Sequence, residues 1–525
     1  RVRARHEVTI VLRERIPCRG VHSSVSFCLH WPHPPTSKMV SKDAKHESGG
    51  DDQSSDNAGQ EQKGQQNGGE ENKDEEQQSG PPQAVGYWDP RLKHVRHEAW
   101  TKWTITTAVL MAFILGVLSI YWAALFRVEQ NLGSLVVYVV DMDGAPPFNT
   151  DGHPAIVGPI VSNLGRSMVA SSTPTLGFEF MNGSAFGNDP VQVRQAIFDF
   201  DAWAAITINP NATAMLYDAV QNGNTGYDPM GACQLTFISS RDDTNWYDFM
   251  SPILNEYMTQ ATTMVGERWT RMVMQNATTN TTLVSNAAAV PQALSPAIGF
   301  SQFDLRPFYP YQIIPSVSIG LIYLIILSFF SFSFYLPIHF KFHQLIIWRW
   351  CATIAAYFML SLAYSWVSLA FQVNFSGGNP VTSETESTVT IDGYSNPDAY
   401  GRGTFPVYWM LNFFGMIAVG LACENVAMLV GQPWTGLWLI FWVITNVSTS
   451  FYDIDVEAGF FAWGYAWPLH YVVEGSRQLL FGLHSRIGLD FGVLIAWGAV
   501  NTALFPLACY FMRWKSQHHV HEYYK

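Results

Sequence analysis

The chain has 525 residues, 48% of them hydrophobic and 14% charged, with a formal net charge of -12. A soluble domain carries about 25% charged residues, so charge has been withdrawn from part of the chain, and the missing basic face argues against a nucleic-acid partner. The acidic excess comes from an N-terminal tail and a large polar gap. Charge is absent from one long apolar stretch near residue 110 and from five more in the C-terminal half.

Residues 1–38 are basic and irregular, and no methionine precedes Met39. They read as a leader or a gene-model artefact upstream of a start at Met39; an organelle presequence, Arg-rich and acid-poor, is the alternative. Residues 39–90 offer almost nothing apolar to bury, so ordering them would cost entropy without return. They are expected to form a disordered acidic cytoplasmic tail, acting either as a phosphorylation or sorting handle or as a solvated entropic chain. Arg91, Lys93, Arg96 and Lys102 then stand before the first apolar stretch. Basic flanks stay in the cytoplasm, which places the N-terminus inside. Residues 103–126 exceed the roughly 20 needed for a transmembrane helix. They are too long an apolar run, and too far from the N-terminus, for a cleaved signal peptide.

The gap at 127–306 contains no lysine and many aspartates. It carries the N-glycosylation sequons of Asn182, Asn211, Asn276 and Asn280, which agree with an external location. Residues 135–141, 204–208 and 235–239 read as strands. Residues 252–274 carry apolar side chains at helical spacing. The gap is thus expected to be a glycosylated mixed α/β ectodomain, large enough for its own core. Of the six cysteines only Cys233 lies in it, so no disulfide forms within it, and no cysteine has zinc spacing.

Spans are predicted at 313–338, 350–373, 405–430, 434–451 and 491–512, a five-helix bundle over 313–512. Lys341 and Arg349 mark a cytoplasmic loop. Residues 374–404, with the sequon of Asn374 and with Glu384, Glu386 and Asp392, read as external. Residues 431–433 form a tight cytoplasmic turn, and 452–490, with Asp453, Asp455 and Glu457, read as external. Arg513 and Lys515 open a cytoplasmic tail at 513–525. The fold class is therefore an α-helical polytopic membrane protein with six transmembrane helices, one plus five. A mixed α/β extracytoplasmic domain lies between the first and second, and both termini are cytoplasmic. Asn446 also heads a sequon, but within the fifth span, where it is expected to stay unmodified.

Residues 460–483 are apolar yet interrupted by Gly464 and Pro468, the pattern of a re-entrant or interfacial segment. Trp463, Tyr465, Trp467 and Tyr471 suit the headgroup layer. Residues 472–483 read as an amphipathic helix with Glu474 and Arg477 at i,i+3 on one face. The segment is either an external gate over a pathway or an aromatic belt in which Glu474 and Arg477 pair. Glu424 is the only acidic residue inside a predicted span. A lone charge at mid-bilayer costs about 2.5–3.5 kcal/mol, so it must face protein or water. It lines a substrate path together with Asn425, or it pairs with a basic group at the cytoplasmic interface. The candidate pathway or gate residues are Glu424, Asn425, Pro468, Glu474 and Arg477. No phosphate-binding loop, zinc-protease or serine-hydrolase motif occurs, so no catalytic residue, metal or cofactor is expected and the chain does not read as an enzyme. His518, His519 and His521 cluster in the tail, where a solvated role outweighs metal binding.

The layout, a large insert after the first of six spans, resembles the membrane components of type-2 ABC exporters and phage-infection-protein permeases. More narrowly, the chain resembles the fungal nitrosoguanidine-resistance membrane proteins. The matching stretches are WAAITINPNA from Trp203, DLRP from Asp304, Asn446-Val-Ser448, GYAWPL from Gly464, Glu474-x-x-Arg477 and HSRIG from His484. Together they cover roughly residues 100–515. The resemblance implies a cell-surface or secretory-pathway membrane protein connected with resistance to toxic small molecules; the layout, Glu424 and the interrupted 460–483 segment point to a permease-like protein that exports, or helps export, toxic or amphipathic small molecules. Its partners would be the lipid bilayer and a separate ATPase, an ion gradient or a homo-oligomer. The alternative is a non-transporting regulator of lipid distribution or trafficking. The expected location is the plasma membrane, with the endoplasmic reticulum or another secretory-pathway membrane as the alternative.

Overall fold

The computed structural model describes residues 86–148, 154–277, 281–331, 341–373, 375, 382–383, 400–431 and 434–523. The leader, nearly all of the acidic tail, most of the 374–404 loop with Asn374, the central residues of the 431–433 turn, and Asn280 lie outside them. The described chain is mostly helical, with five helices long and apolar enough to cross a membrane and one small sheet.

Helix α1 covers Pro90–Ala124. The Asp89 side chain caps its start by accepting from the Arg91 amide at 2.9 Å. No residue of its Lys93–Phe113 portion is buried. Its C-terminal end, Ser119–Ala124, touches the helix Thr435–Val447, and the apolar surface that the rest of the span leaves bare suits lipid.

The polar insert follows. Its strands are β1 (Val136–Asp141), β2 (Gly177–Asn182), β3 (Ala204–Ile208), β4 (Cys233–Phe237) and β5 (Phe300–Asp304). Its helices are α2 (Val157–Ala170), α3 (Pro190–Phe198), α4 (Ala212–Asn222), α5 (Ser251–Ala277) and α6 (Thr281–Ala289). A short β6, Thr382–Ser383, comes from the segment between two membrane helices and completes the order β2-β1-β3-β4-β5-β6. β1 pairs in parallel with both β2 and β3, and β4 with β5; β3–β4 and β5–β6 are antiparallel.

Alternate side chains of the strands point to opposite faces, and the two faces have different fates. Val137, Val139, Ala204 and Ile206 join α2, α4 and α5 in a core built from the insert, which Val456 also enters from outside it. Val140, Ala205 and Phe303 face α3 and enter a second core that continues through Leu324, Tyr357 and Val472 of the membrane bundle. The sheet is therefore seated on the bundle by one of its hydrophobic faces.

The bundle consists of α7 (Tyr311–Ser331), α8 (Phe342–Ala370), α9 (Thr404–Val430), α10 (Thr435–Val447), α11 (Pro468–Phe481) and α12 (Ile487–Tyr523). Helix α9 is its axis, touching α7, α8, α10, α11 and α12. Gly420 lets α8 approach closely, because a Cβ there would overlap the Tyr357 hydroxyl. Small residues at such crossings are how membrane helices pack.

Several expectations change. The predicted fifth span, 434–451, is the 13-residue helix α10, about 20 Å long against a hydrocarbon core of about 30 Å. Among the described residues it does not meet the length of a full crossing. α8 begins at Phe342 and not at 350, so Arg349 lies within the helix and not in a loop. α12 begins at Ile487 and not at 491, so Glu424 is not the only acidic residue in an apolar span: Asp490 lies in the first turn of α12. The helix expected at 472–483 runs over Pro468–Phe481 and is buried on every side except at Glu474, so its polar face is turned mostly into protein.

Candidate functional site

The core of the site is α11. Pro468 opens it and needs no amide partner there. Asn446 of α10 accepts from the Leu469 amide at 3.2 Å, tying the end of one helix to the start of the next. Gly482 ends α11 in the left-handed region at φ 68°, and its carbonyl accepts from Nε of Arg306 at 3.1 Å. Both ends of α11 are thus fastened, one to the membrane helices and one to the insert.

Arg477 makes the central contact. Its Nη1 lies 2.9 Å from Oδ2 of Asp242 and its Nη2 lies 3.4 Å from Oδ1 of Asp243. Nη1 also donates to the Arg241 carbonyl at 3.2 Å. Asp242 in turn accepts from the Asn245 amide at 2.8 Å, which holds the carboxylate in place. Burial lowers the basicity of Arg477, but Asp242 and Asp243 outweigh it and the net shift is upward. Glu474 does not take part: its ion-pair partner is His470, at 3.5 Å. The expected pairing of Glu474 with Arg477 is replaced by pairing of Arg477 with the insert, because one helical turn back His470 faces Glu474 while Arg477 points under the sheet. Burial pushes His470 below its ordinary value against the pull of Glu474.

Above α11 lies a cavity of about 110 Å³. Asp242 and Arg241 of the insert, Asp453 and Asp455 of the segment before α11, and Glu474, Arg477 and Asp490 line it. Arg241 is clamped between Phe200 and Trp203, 4.4 and 3.8 Å from their ring centres, and burial lowers it to about 10. Burial, reinforced by Asp455 and Asp242, raises Asp453 to about 7. Glu457, just beyond, is 4% exposed, and burial followed by the charge of Asp453 raises it to about 9.

These two carboxyls give the segment before α11 a pH dependence. Both folded values lie above the ordinary ones of 3.8 and 4.5, so the folded state holds protons that an open chain releases. Their stabilising contribution is complete below the ordinary values and is lost as pH rises through about 7 for Asp453 and about 9 for Glu457. Hydrogen exchange of residues 448–467, taken relative to the intrinsic rate at each pH, is therefore expected to rise between about pH 4 and pH 9, each group contributing about 1.4 kcal/mol per pH unit at most. In Glu457→Gln the upper part of this rise should vanish. Equal protection at both ends of the range, in both proteins, would contradict it.

A second feature is an apolar groove of about 540 Å³ between α9, α10 and α12. The stack of Trp442, Trp467 and Trp497, with ring centres 5.6–5.9 Å apart, closes one end. Leu429 and Phe511 lie toward the other. Its polar floor is Asn425, whose Nδ2 donates to the carbonyl and to Oδ1 of Asn501 at 3.0 and 3.2 Å. The shortness of α10 leaves this groove open along part of its length. Glu424 points away from it. Its Oε1 lies 2.8 Å from Nε of Arg349, and its Oε2 accepts from Thr353 at 3.0 Å.

The structure thus brings Glu474 and Arg477 to one cavity, puts Asn425 on the groove, gives Pro468 a positional role at the head of α11, and places Glu424 in a tie between α8 and α9. A further crevice of about 680 Å³ lies beyond the ends of β1 and β2, near Asp141, Asp143 and Asn182. Asn182 and Asn276 are exposed. Asn211 is half-buried, and its sequon Thr213 is buried and hydrogen-bonded to Asp143. Asn446 is fully buried. Sequence reasoning missed Asp242 and Asp490. Asp490 was legible as an acid four residues into a helix opened by Ile487. Among the described residues, no cluster of three or more His, Cys, Asp or Glu side chains could hold a metal ion.

Residues 106–503 match the family described as "Protein of unknown function (DUF3533)". The chain belongs to the DUF3533 family. An uncharacterized endoplasmic reticulum membrane protein of Saccharomyces cerevisiae is 26% identical to it over 448 residues, covering 81% of this chain and 83% of that protein. No solved structure matches it. The region shared with the DUF3533 family runs from within α1 to within α12, and so includes the insert, α11 and every residue lining the charged cavity.

Proposed function

We propose that this DUF3533 protein is a permease-like membrane protein that carries amphipathic small molecules, toxic ones included, along the groove between α9, α10 and α12. The observation that carries the reading is the groove itself: apolar walls, one amide pair at its floor, and a tryptophan stack at one end. An apolar cleft with few, convergent polar groups is the usual form of a small-molecule site. The resemblance to the fungal nitrosoguanidine-resistance membrane proteins supports it, as do the five candidate spans and the shorter apolar helix α10 beside them. The insert then lies on the non-cytosolic side, where basic flanks and sequons favour it. The yeast relative, named as an endoplasmic reticulum membrane protein, favours that membrane over the plasma membrane.

One observation favours the other reading, a non-transporting regulator of lipid distribution. Glu424 is neutralised by Arg349 and so is poorly placed to couple an ion gradient. The two readings part in a flux assay. Full-length protein in liposomes loaded with a fluorescent amphipathic dye should release it faster than protein-free liposomes. Filling the groove with Val426→Trp and Leu504→Trp together should lower that rate about tenfold, equivalent to roughly 1.4 kcal/mol. Release at the protein-free rate by the wild type, with and without ATP and a pH gradient, would rule the permease out.

A further inference from the structure

Asp490 is 1% exposed, and neither of its carboxylate oxygens has a hydrogen-bond partner. It nevertheless lines the cavity above α11. On its inner side it rests against Gly475, where an added Cβ would come 3.2 Å from Oδ2. The cavity's other charges are distributed unevenly. Asp242 is taken by Arg477 at 2.9 Å, and Arg241 is sandwiched by two aromatic rings and donates to the Ala202 carbonyl. Glu474, Asp453 and Asp455 face the same space, with Arg486, His470 and His484 at its edge. Five carboxyl groups therefore meet three guanidinium groups around about 110 Å³ of space.

A buried carboxylate is costly unless it is paired and hydrogen-bonded, and a cavity this size has room for more than one water. A compact group that brings its own hydrogen-bond donors would supply the partner that both oxygens of Asp490 lack. Tyr465 and Phe200 add aromatic faces at the rim, which attract organic cations.

We propose that this cavity binds the ammonium head of a small primary amine or amphipathic amine, with Asp490 as its counter-ion and Glu474 as a second acceptor. The ammonium is a compact donor of three hydrogen bonds, matched to the two free oxygens of Asp490 and to the carboxylate of Glu474. The inference goes beyond the permease reading, since this cavity shares no lining residue with the groove, and it rests on that reading only for the movement of the amine, not for its binding.

The test uses full-length protein in nanodiscs of phosphatidylcholine, which carries no primary amine. Calorimetric titration with n-hexylammonium should give saturable binding, and n-hexanol, the uncharged analogue, should give none. Asp490→Asn should weaken n-hexylammonium binding by at least about tenfold, with Glu474→Gln weakening it less. Glu474 is partly exposed, so that variant remains informative if Asp490→Asn does not fold. Nanodiscs that also contain phosphatidylethanolamine separate the sources of the amine: competition assigns the lipid headgroup, and unchanged affinity assigns a free amine. Equal binding by wild type and both variants, or no saturable binding, overturns the proposal and leaves Asp490 holding only a proton. Binding without dye flux would overturn the permease reading alone; flux without binding would overturn this inference alone.

Discussion

Replacing Arg477 with methionine is expected to destabilise the protein by about 3–5 kcal/mol and to free the insert from the bundle. The guanidinium is 8% exposed and faces two carboxylates of the insert, so its removal leaves Asp242 buried without its counter-charge. Lysine at the same position keeps the charge but loses the planar fork that reaches Asp242, Asp243 and the Arg241 carbonyl together, and should fall between. The combination Arg477→Met, Asp242→Asn and Asp243→Asn should recover part of the loss, since an uncharged cluster costs less than an unmatched one. Thermal unfolding of the purified full chain, with trypsin cleavage of the insert as a second readout, measures all three. Unchanged unfolding in Arg477→Met would mean that the shared hydrophobic core, and not the ion pair, seats the insert.

That core also explains which parts of the fold the residues disclosed. β1, β3 and, two residues late, β4 were legible as short β-rich runs bounded by polar residues, and α5 because its apolar positions recur at helical spacing. β2 and β5 were not: Gly177-Phe-Glu-Phe-Met-Asn182 and Phe300-Ser-Gln-Phe-Asp304 have no β-branched residues, and they are ordered by pairing, β2 with β1 and β5 with β4 and the two-residue β6. The end of α10 was hidden for a different reason. The chain stays uncharged to Phe451, but the side chains of Asn446, Thr449 and Ser450 bond back to carbonyls four residues earlier. Side-chain bonds of this kind compete with the helical ladder, and α10 ends at Val447.

The site was half legible. The 460–483 segment announced itself by Gly464 and Pro468 within an aromatic run, and Glu474 and Arg477 stood out as polar groups in an apolar setting. Their partners were not readable. Asp242 lies 235 residues from Arg477 in the chain, in a loop positioned by the register of β4 on β5. Asp490 was overlooked because the span was started one residue after it. A charge flanking an apolar run reads equally well as a loop residue or as the first turn of a helix, and only the packing of α12 against α11 separates the two.

The same ambiguity governs Glu424, whose partner Arg349 reads as a loop residue and folds as part of α8. Glu424→Gln takes the counter-charge from a guanidinium held at 2.8 Å and 12% exposed, and is expected to cost about 3–5 kcal/mol. Thr353 keeps an acceptor in the glutamine oxygen, so the loss is that of the charge. Replacing both members, Arg349→Met with Glu424→Met, should restore stability to near the wild-type level, because a well-packed apolar pair avoids the desolvation that the ion pair must repay. Pairing this series with the dye-release assay separates two roles. If Glu424 carries a coupling proton, the double variant unfolds normally but loses its dependence on a pH gradient. If Glu424 only ties α8 to α9, the double variant recovers stability and flux together, and the coupling charge must be sought at the outer cavity, where Asp490 stands.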